Sequence, residues 1–305
     1  MSIRVETNEN LTLLYSFLNR FDQAGGDSNT HPLQEQVKNH FKDYMGNAPK
    51  VGEYIHEHKV VVWSLTVGKP PEFEPRNVEI SSELHWHIDK GKIIKPYLVD
   101  FYNKTDFKTY YKELEISLEA IKKEMEQIIS QANVEEMLER VWGKKVKNEM
   151  VVIPNPFTHG SFGPQIGNIN YQVVGVMGEI NKRALLHAII HEGSHPIAKE
   201  VLKPYRKDID EIENLLEEAK QHPKYPKAYN NWRICFEEHL IRAVHIGFIS
   251  ERVFDNYEIE KGLELEKNRG MLFITTFFEN LQEGNISDSI LDILKALKRC
   301  KHGSL

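Results

Sequence analysis

Two histidines and a glutamate are spaced to share one metal ion in the run His191, Glu192, Gly193, Ser194, His195. Apolar residues recur around them at helical intervals, namely Leu185, Ile189, Ile190, Ile197 and Leu202, and Asn181 stands where an N-cap belongs. Residues four apart lie on one face of a helix, so both imidazoles can aim at a single point. Glu192 sits one step round, within reach of a water held at that point. This H-E-x-x-H pattern binds zinc through two imidazoles and uses the carboxylate as general base. The competing reading is two ordinary histidines with backbone partners and a solvated acid. An apolar helix makes that reading costly, because buried polar groups need partners or a ligand.

Two residues argue against a regular helix. Gly193 lowers helix propensity. Pro196 lacks an N–H, and its ring meets the carbonyl of Glu192 in an unbroken helix, so a kink is expected just past His195. His187, one turn before His191, reads as a partly buried histidine with a hydrogen-bond partner rather than an accessory ligand.

A catalytic zinc takes three protein ligands and keeps one open position. The metzincin spacing, with a further glycine and histidine, is excluded because Ala198 and Val201 occupy those places. An acid from a later helix is the other source. Residues 230–248 carry a broad apolar stripe of Trp232, Cys235, Phe236, Leu240, Val244 and Phe248. A second stripe is polar: Asn231, Glu238, Arg242 and His245. Glu238 is therefore the expected third ligand. Arg242 and His245 would orient it or stabilise an oxyanion, and His245 is the second catalytic candidate. Glu237 and the acids of residues 208–218 remain alternatives, although that acidic run reads most simply as a solvated amphipathic helix. Without the upstream motif, Glu238 and Arg242 would be an ordinary i,i+4 pair.

The elements that must position these groups are mostly helical. Residues 9–23 and 32–45 read as helices. Residues 60–66 and 78–84 have strand composition, the first equally compatible with a helix. Thr105 is expected to cap a long helix reaching about residue 131, followed by a short helix over 134–142. Residues 150–154 and 171–177 read as strands flanking a loop rich in Gly, Pro and Asn. The second strand directly precedes the motif helix, where a sheet edge would pair with an extended substrate. From 181 onward the chain reads as helical. The composition shift suggests a mostly helical region with a few strands over 1–147 and a catalytic region over 148–305.

The pairs His56/His58 and His85/His87 would share a strand face, but no acid or cysteine cluster accompanies them, so they read as surface or packing residues. His159 could enter an active cleft. Cys235 falls on the buried stripe and reads as a packed thiol; the tail around Cys300 and His302 is expected to be disordered.

A chain of 305 residues with 40% hydrophobic and 28% charged residues suits a soluble globular protein with a large core. Net charge is −6, and no basic cluster is interleaved with aromatics, so nucleic acid is not expected as a partner. Two cysteines give no disulfide framework. The first ten residues have no apolar core of a signal peptide and no run is long enough to span a membrane, so a cytoplasmic location is expected.

The motif followed by a glutamate on a later helix resembles the gluzincin branch of zinc metallopeptidases. Residues 238–243 after the motif at 191–195 are similar to a bacterial family known as domain of unknown function four-nine-three-two. Residues 37–44, 106–111 and 159–164 resemble it too. The resemblance implies an α+β, predominantly helical fold, zincin-like, with a small sheet next to the motif helix. It implies a zinc-dependent metallopeptidase acting on a peptide or protein substrate, with His191, His195 and Glu238 as ligands and Glu192 as base, and it points to no particular substrate. Two other readings compete: a non-catalytic helical binding protein with structural zinc or none, and a zinc amidohydrolase acting on a non-peptide amide.

Overall fold

The computed structural model describes residues 2–24, 31–49, 57–80, 85–145, 149–159, 161–226, 229–254 and 256–300. His56, residues 81–84 and the tail from 301 lie outside them, as does part of the expected strand at 78–84. The chain is α+β, predominantly helical, with one small sheet. It forms two compact units, each built from separated stretches of chain: Ser2–Gln131 with Asn148–Ala188, and Ala132–Lys147 with Ile189–Leu305.

The first unit holds the sheet, in the order β1 (Ser2–Val5), β2 (Glu149–Asn155), β4 (Ile169–Gly175), β3 (Gln165–Ile166). β2 is parallel to both β1 and β4, and β3 is antiparallel to β4. From Met150 to Asn155 every residue of β2 is buried, as befits a central strand covered on both faces. The helices of this unit are α1 (Glu9–Arg20), α2 (Pro32–His40), α3 (Glu57–Leu65), α4 (His85–Lys104) and most of α5 (Phe107–Ala132). Leu14, Phe17, Trp63, Phe101, Phe107 and Val173 belong to one apolar core.

The run Val60 to Trp63, open to either a strand or a helix in sequence, is helical and is buried on every side. All-round burial erases the periodicity that separates a helix from a strand. Helix α4 was not expected, because Gly91 and Pro96 interrupt its pattern. Gly91 is needed there: a Cβ would stand 2.0 Å from Trp63 Cγ, so only glycine lets α3 and α4 approach this closely. Thr105 does not cap α5. Its hydroxyl donates to the Phe101 carbonyl at 2.7 Å, closing α4 instead. His58, His85 and His87 fall in helices, and their side chains, like the whole of His56, lie outside what the structure describes.

The strand expected to offer an open edge is also corrected. β4 lies inside the sheet, between β2 and β3. Beyond β3, the N–H and C=O of Val173 both bond the backbone of Phe162, at 2.9 Å each, and Tyr171 N–H donates to Pro164 O at 3.0 Å. The segment at 162–166 folds back and occupies the ladder that a substrate would need.

The second unit contains α6 (Val134–Trp142), the greater part of α7 (Lys182–Leu202) and the remaining helices. The acidic run is two short helices, α8 (Arg206–Asp210) and α9 (Leu215–Ala219), rather than one. α10 (Trp232–Val244) leads without a break into a π-helical turn, His245–Ile249, then α11 (Ser250–Val253), α12 (Ile259–Asn268), α13 (Ile274–Glu279) and α14 (Ile286–Cys300). Phe236 of α10 packs edge-on against Phe277 of α13, with ring centroids 4.8 Å apart. No helix among the described residues is long and apolar enough to cross a membrane.

Candidate metal centre

Both helices that carry the motif residues are fixed at their starts by asparagine. Asn181 Oδ1 accepts from Ala184 N–H at 3.0 Å, and Asn231 Oδ1 accepts from Ile234 N–H at 3.0 Å. Each side chain satisfies a backbone donor that has no partner within the helix. Asn231 is thus a cap rather than a member of the polar stripe. α7 runs on through Pro196 to Leu202, so the helical hydrogen-bond pattern resumes after the expected interruption. Ser194 points away from the motif face: its hydroxyl bonds back to Ile190 O at 2.8 Å and accepts from the Trp142 indole at 3.3 Å.

His191, His195 and Glu238 each bring a ligand atom to one place, all within 4.8 Å of one another. His191 Nε2 stands 3.6 Å from Glu238 Oε2, and His195 Nε2 stands 3.6 Å from Glu238 Oε1. These separations are too long for hydrogen bonds. Zinc bonds an imidazole nitrogen or a carboxylate oxygen at about 2.0–2.2 Å, so atoms this far apart can be ligands of one ion. The two imidazole planes are nearly perpendicular, at 87°. The donor set therefore fits a metal ion.

Glu237, one of the alternatives for third ligand, has a different place. Its Oε1 accepts from His195 Nδ1 at 2.7 Å. This bond fixes the ring so that Nε2 faces Glu238, the arrangement by which a carboxylate orients a metal-ligating histidine. Burial by itself would lower the pKa of His195; the Glu237 hydrogen bond and the charges of Glu192, Glu238 and Glu237 outweigh it and raise the value.

Glu238 is held from behind. Tyr229 donates its hydroxyl to Glu238 Oε2 at 3.0 Å, and Arg242 Nε lies 3.3 Å from the same oxygen. Arg242 Nη2 donates to Tyr229 Oη at 2.9 Å, and Nη1 to Glu266 Oε2 at 2.9 Å. Burial pushes the Tyr229 hydroxyl up to about 12, so it stays a donor. Sequence reasoning placed Arg242 beside Glu238 but missed Tyr229 and Glu266. Tyr229 precedes α10 in an irregular stretch, where no periodicity could tie it to the glutamate.

His245 is buried, and its ring lies 5.5 Å from that of His191 at 89°. It opens the π-helical turn, a rare distortion that re-aims side chains and is frequent at functional sites. His187 is exposed, contrary to the partial burial expected of it. His239 faces the opposite way from its neighbour Glu238: Nδ1 donates to Cys235 O at 2.7 Å and Nε2 accepts from Phe273 N–H at 3.3 Å. Cys235 is a buried free thiol, pushed up to about 11 by burial, and so inert. His159 belongs to the other unit, where it contacts Met177 and lines a cavity of about 730 Å³ together with the first turn of α7.

A family model described as Domain of unknown function (DUF4932) matches residues 89–287, which include every residue of this centre. No curated protein and no solved structure matches the chain.

Proposed function

The chain belongs to the DUF4932 family, and on that premise and the geometry of the centre we propose that it is a zinc-dependent, zincin-like hydrolase of peptide bonds. The observation that carries the proposal is the convergence of His191, His195 and Glu238 donor atoms within 4.8 Å, with Glu192 next to His191 in the chain. A zinc ion on these ligands would supply the Lewis acid that draws the pKa of a water down to about 7 and polarises the scissile carbonyl.

The chain's own residues do the rest. Glu192 takes the proton of the attacking water and hands it to the leaving amine. Glu237 keeps His195 in the tautomer whose Nε2 lone pair faces the centre. Tyr229 and Arg242 hold one oxygen of Glu238 and so limit its rotation. His245, whose ring lies 5.5 Å from that of His191, would donate to the oxygen that gains charge.

Glu192→Gln keeps the size of the side chain and removes the base. Zinc content should stay at one per chain, and cleavage of a mixed peptide library, followed by mass spectrometry, should fall by a factor on the order of 100 to 10,000. Cleavage by this variant at the wild-type rate would sink the mechanism.

A further inference from the structure

Arg242, which braces Glu238, also lines a cavity of about 350 Å³ together with Lys224, Pro226, Glu266, Arg269 and Met271. Three of these residues are cationic and one is anionic. That local excess of positive charge lies in a chain whose net charge is −6.

Glu266 does not offset it freely, because both of its oxygens are committed. Oε2 accepts from Arg242 Nη1 at 2.9 Å and Oε1 from Arg269 Nη1 at 2.7 Å. The carboxylate is buried and serves as a bridge that fixes two guanidiniums side by side. Arg269 keeps Nε and Nη2 outside this bridge, and the exposed Lys224 ammonium has no carboxylate partner among the described residues. Lys224 is held near Arg269 by the backbone. Gly270 has φ +96°, and a Cβ there would stand 2.8 Å from Tyr225 Cα and 3.0 Å from Lys224 C. Only glycine allows the chain at 224–225 to lie this close.

We propose that this cavity binds a carboxylate group. A guanidinium presents a planar fork that matches a carboxylate, and two spare Arg269 nitrogens beside a free ammonium supply donors and charge together. Its volume falls within the range of small-molecule sites. Arg242 belongs to both this cavity and the bracket on Glu238, so the bound group would sit one guanidinium from a ligand of the centre.

The test is equilibrium binding of three small probes to the zinc-loaded full chain. N-acetylglutamate α-amide carries a side-chain carboxylate, N-acetylglycine an α-carboxylate, and N-acetylglutamine α-amide neither. One of the carboxylate probes should bind about tenfold more tightly than the neutral one, and which of them does identifies the source. The double variant Lys224→Gln with Arg269→Gln should abolish that preference while zinc content holds. Lys224→Glu, at an exposed position, serves as the second variant and should cut the preference at least severalfold. Equal binding of all three probes would overturn the proposal. So would a preference that survives both variants, since the carboxylate would then sit elsewhere, on the metal included. Because the readout is binding, a protein that takes the probes but cleaves no peptide contradicts hydrolysis and leaves this site standing.

Discussion

The two glutamates of α10 show how one position along a helix separates a ligand from its support. Glu238 faces both imidazoles at 3.6 Å, while Glu237 bonds the outer nitrogen of His195 at 2.7 Å. Neighbouring helical residues point about 100° apart, so the two carboxylates reach His195 from different sides. Removing Glu237 leaves the ligand set intact and frees the His195 ring. Glu237→Gln should therefore lower zinc affinity about 10- to 100-fold, measured by competition with a chelating dye, without abolishing binding. Unchanged affinity would mean that Glu237 does not position the ring. In sequence, the two glutamates were legible only as alternatives for one ligand, beside the acids of residues 208–218. Heptad arithmetic favours Glu238 for the polar face, but the contact of Glu237 with His195 depends on how α7 and α10 pack.

At the scale of elements, what could be read in sequence was what repeats. α6 occupies the expected residues 134–142, and α1, α2, α5, β2 and β4 fall close to their expected spans, because apolar periodicity and turn residues mark them. What could not be read came from burial on all sides or from close approach. The valines of α3 look like a strand, and α4 hides behind Gly91 and Pro96. Caps give two tests at this scale. Asn231→Ala should cost about 1 kcal/mol of stability, and Asn231→Ser should recover most of it, as read by chemical denaturation. His31 caps α2 through Nδ1, which accepts from Leu33 N–H at 3.1 Å and must be neutral to do so. Burial lowers its pKa below 6.5. The contribution of this cap is thus present above the unfolded pKa and is lost as pH falls through the folded one. His31→Asn keeps an acceptor and cannot titrate, so its stability should decline less than that of the wild type between about pH 7 and 5. Parallel curves would rule out His31 as the source.

Over the whole molecule, the family match spans 89–287 and so takes in parts of both compact units, whereas every described group of the metal centre belongs to one of them. The ligands come from two helices of that unit, and an ion shared between α7 and α10 would tie them together. Zinc should then stabilise the fold by mass action, by about 2.7 kcal/mol when free zinc exceeds its dissociation constant 100-fold. Chelation should lower the melting temperature, and added zinc should restore it; a His191→Ala His195→Ala variant should show neither response. The small sheet takes no comparable part in the proposal, since its strand β4 is already paired on both sides. The most direct test of the account is a crystal of protein purified without a metal-affinity tag, with anomalous data collected on both sides of the zinc edge. The account predicts one zinc per chain, about 2.0–2.2 Å from His191 Nε2, His195 Nε2 and a Glu238 oxygen. A zinc-free centre in crystals soaked with excess zinc, or a zinc ligated by other residues, would contradict it.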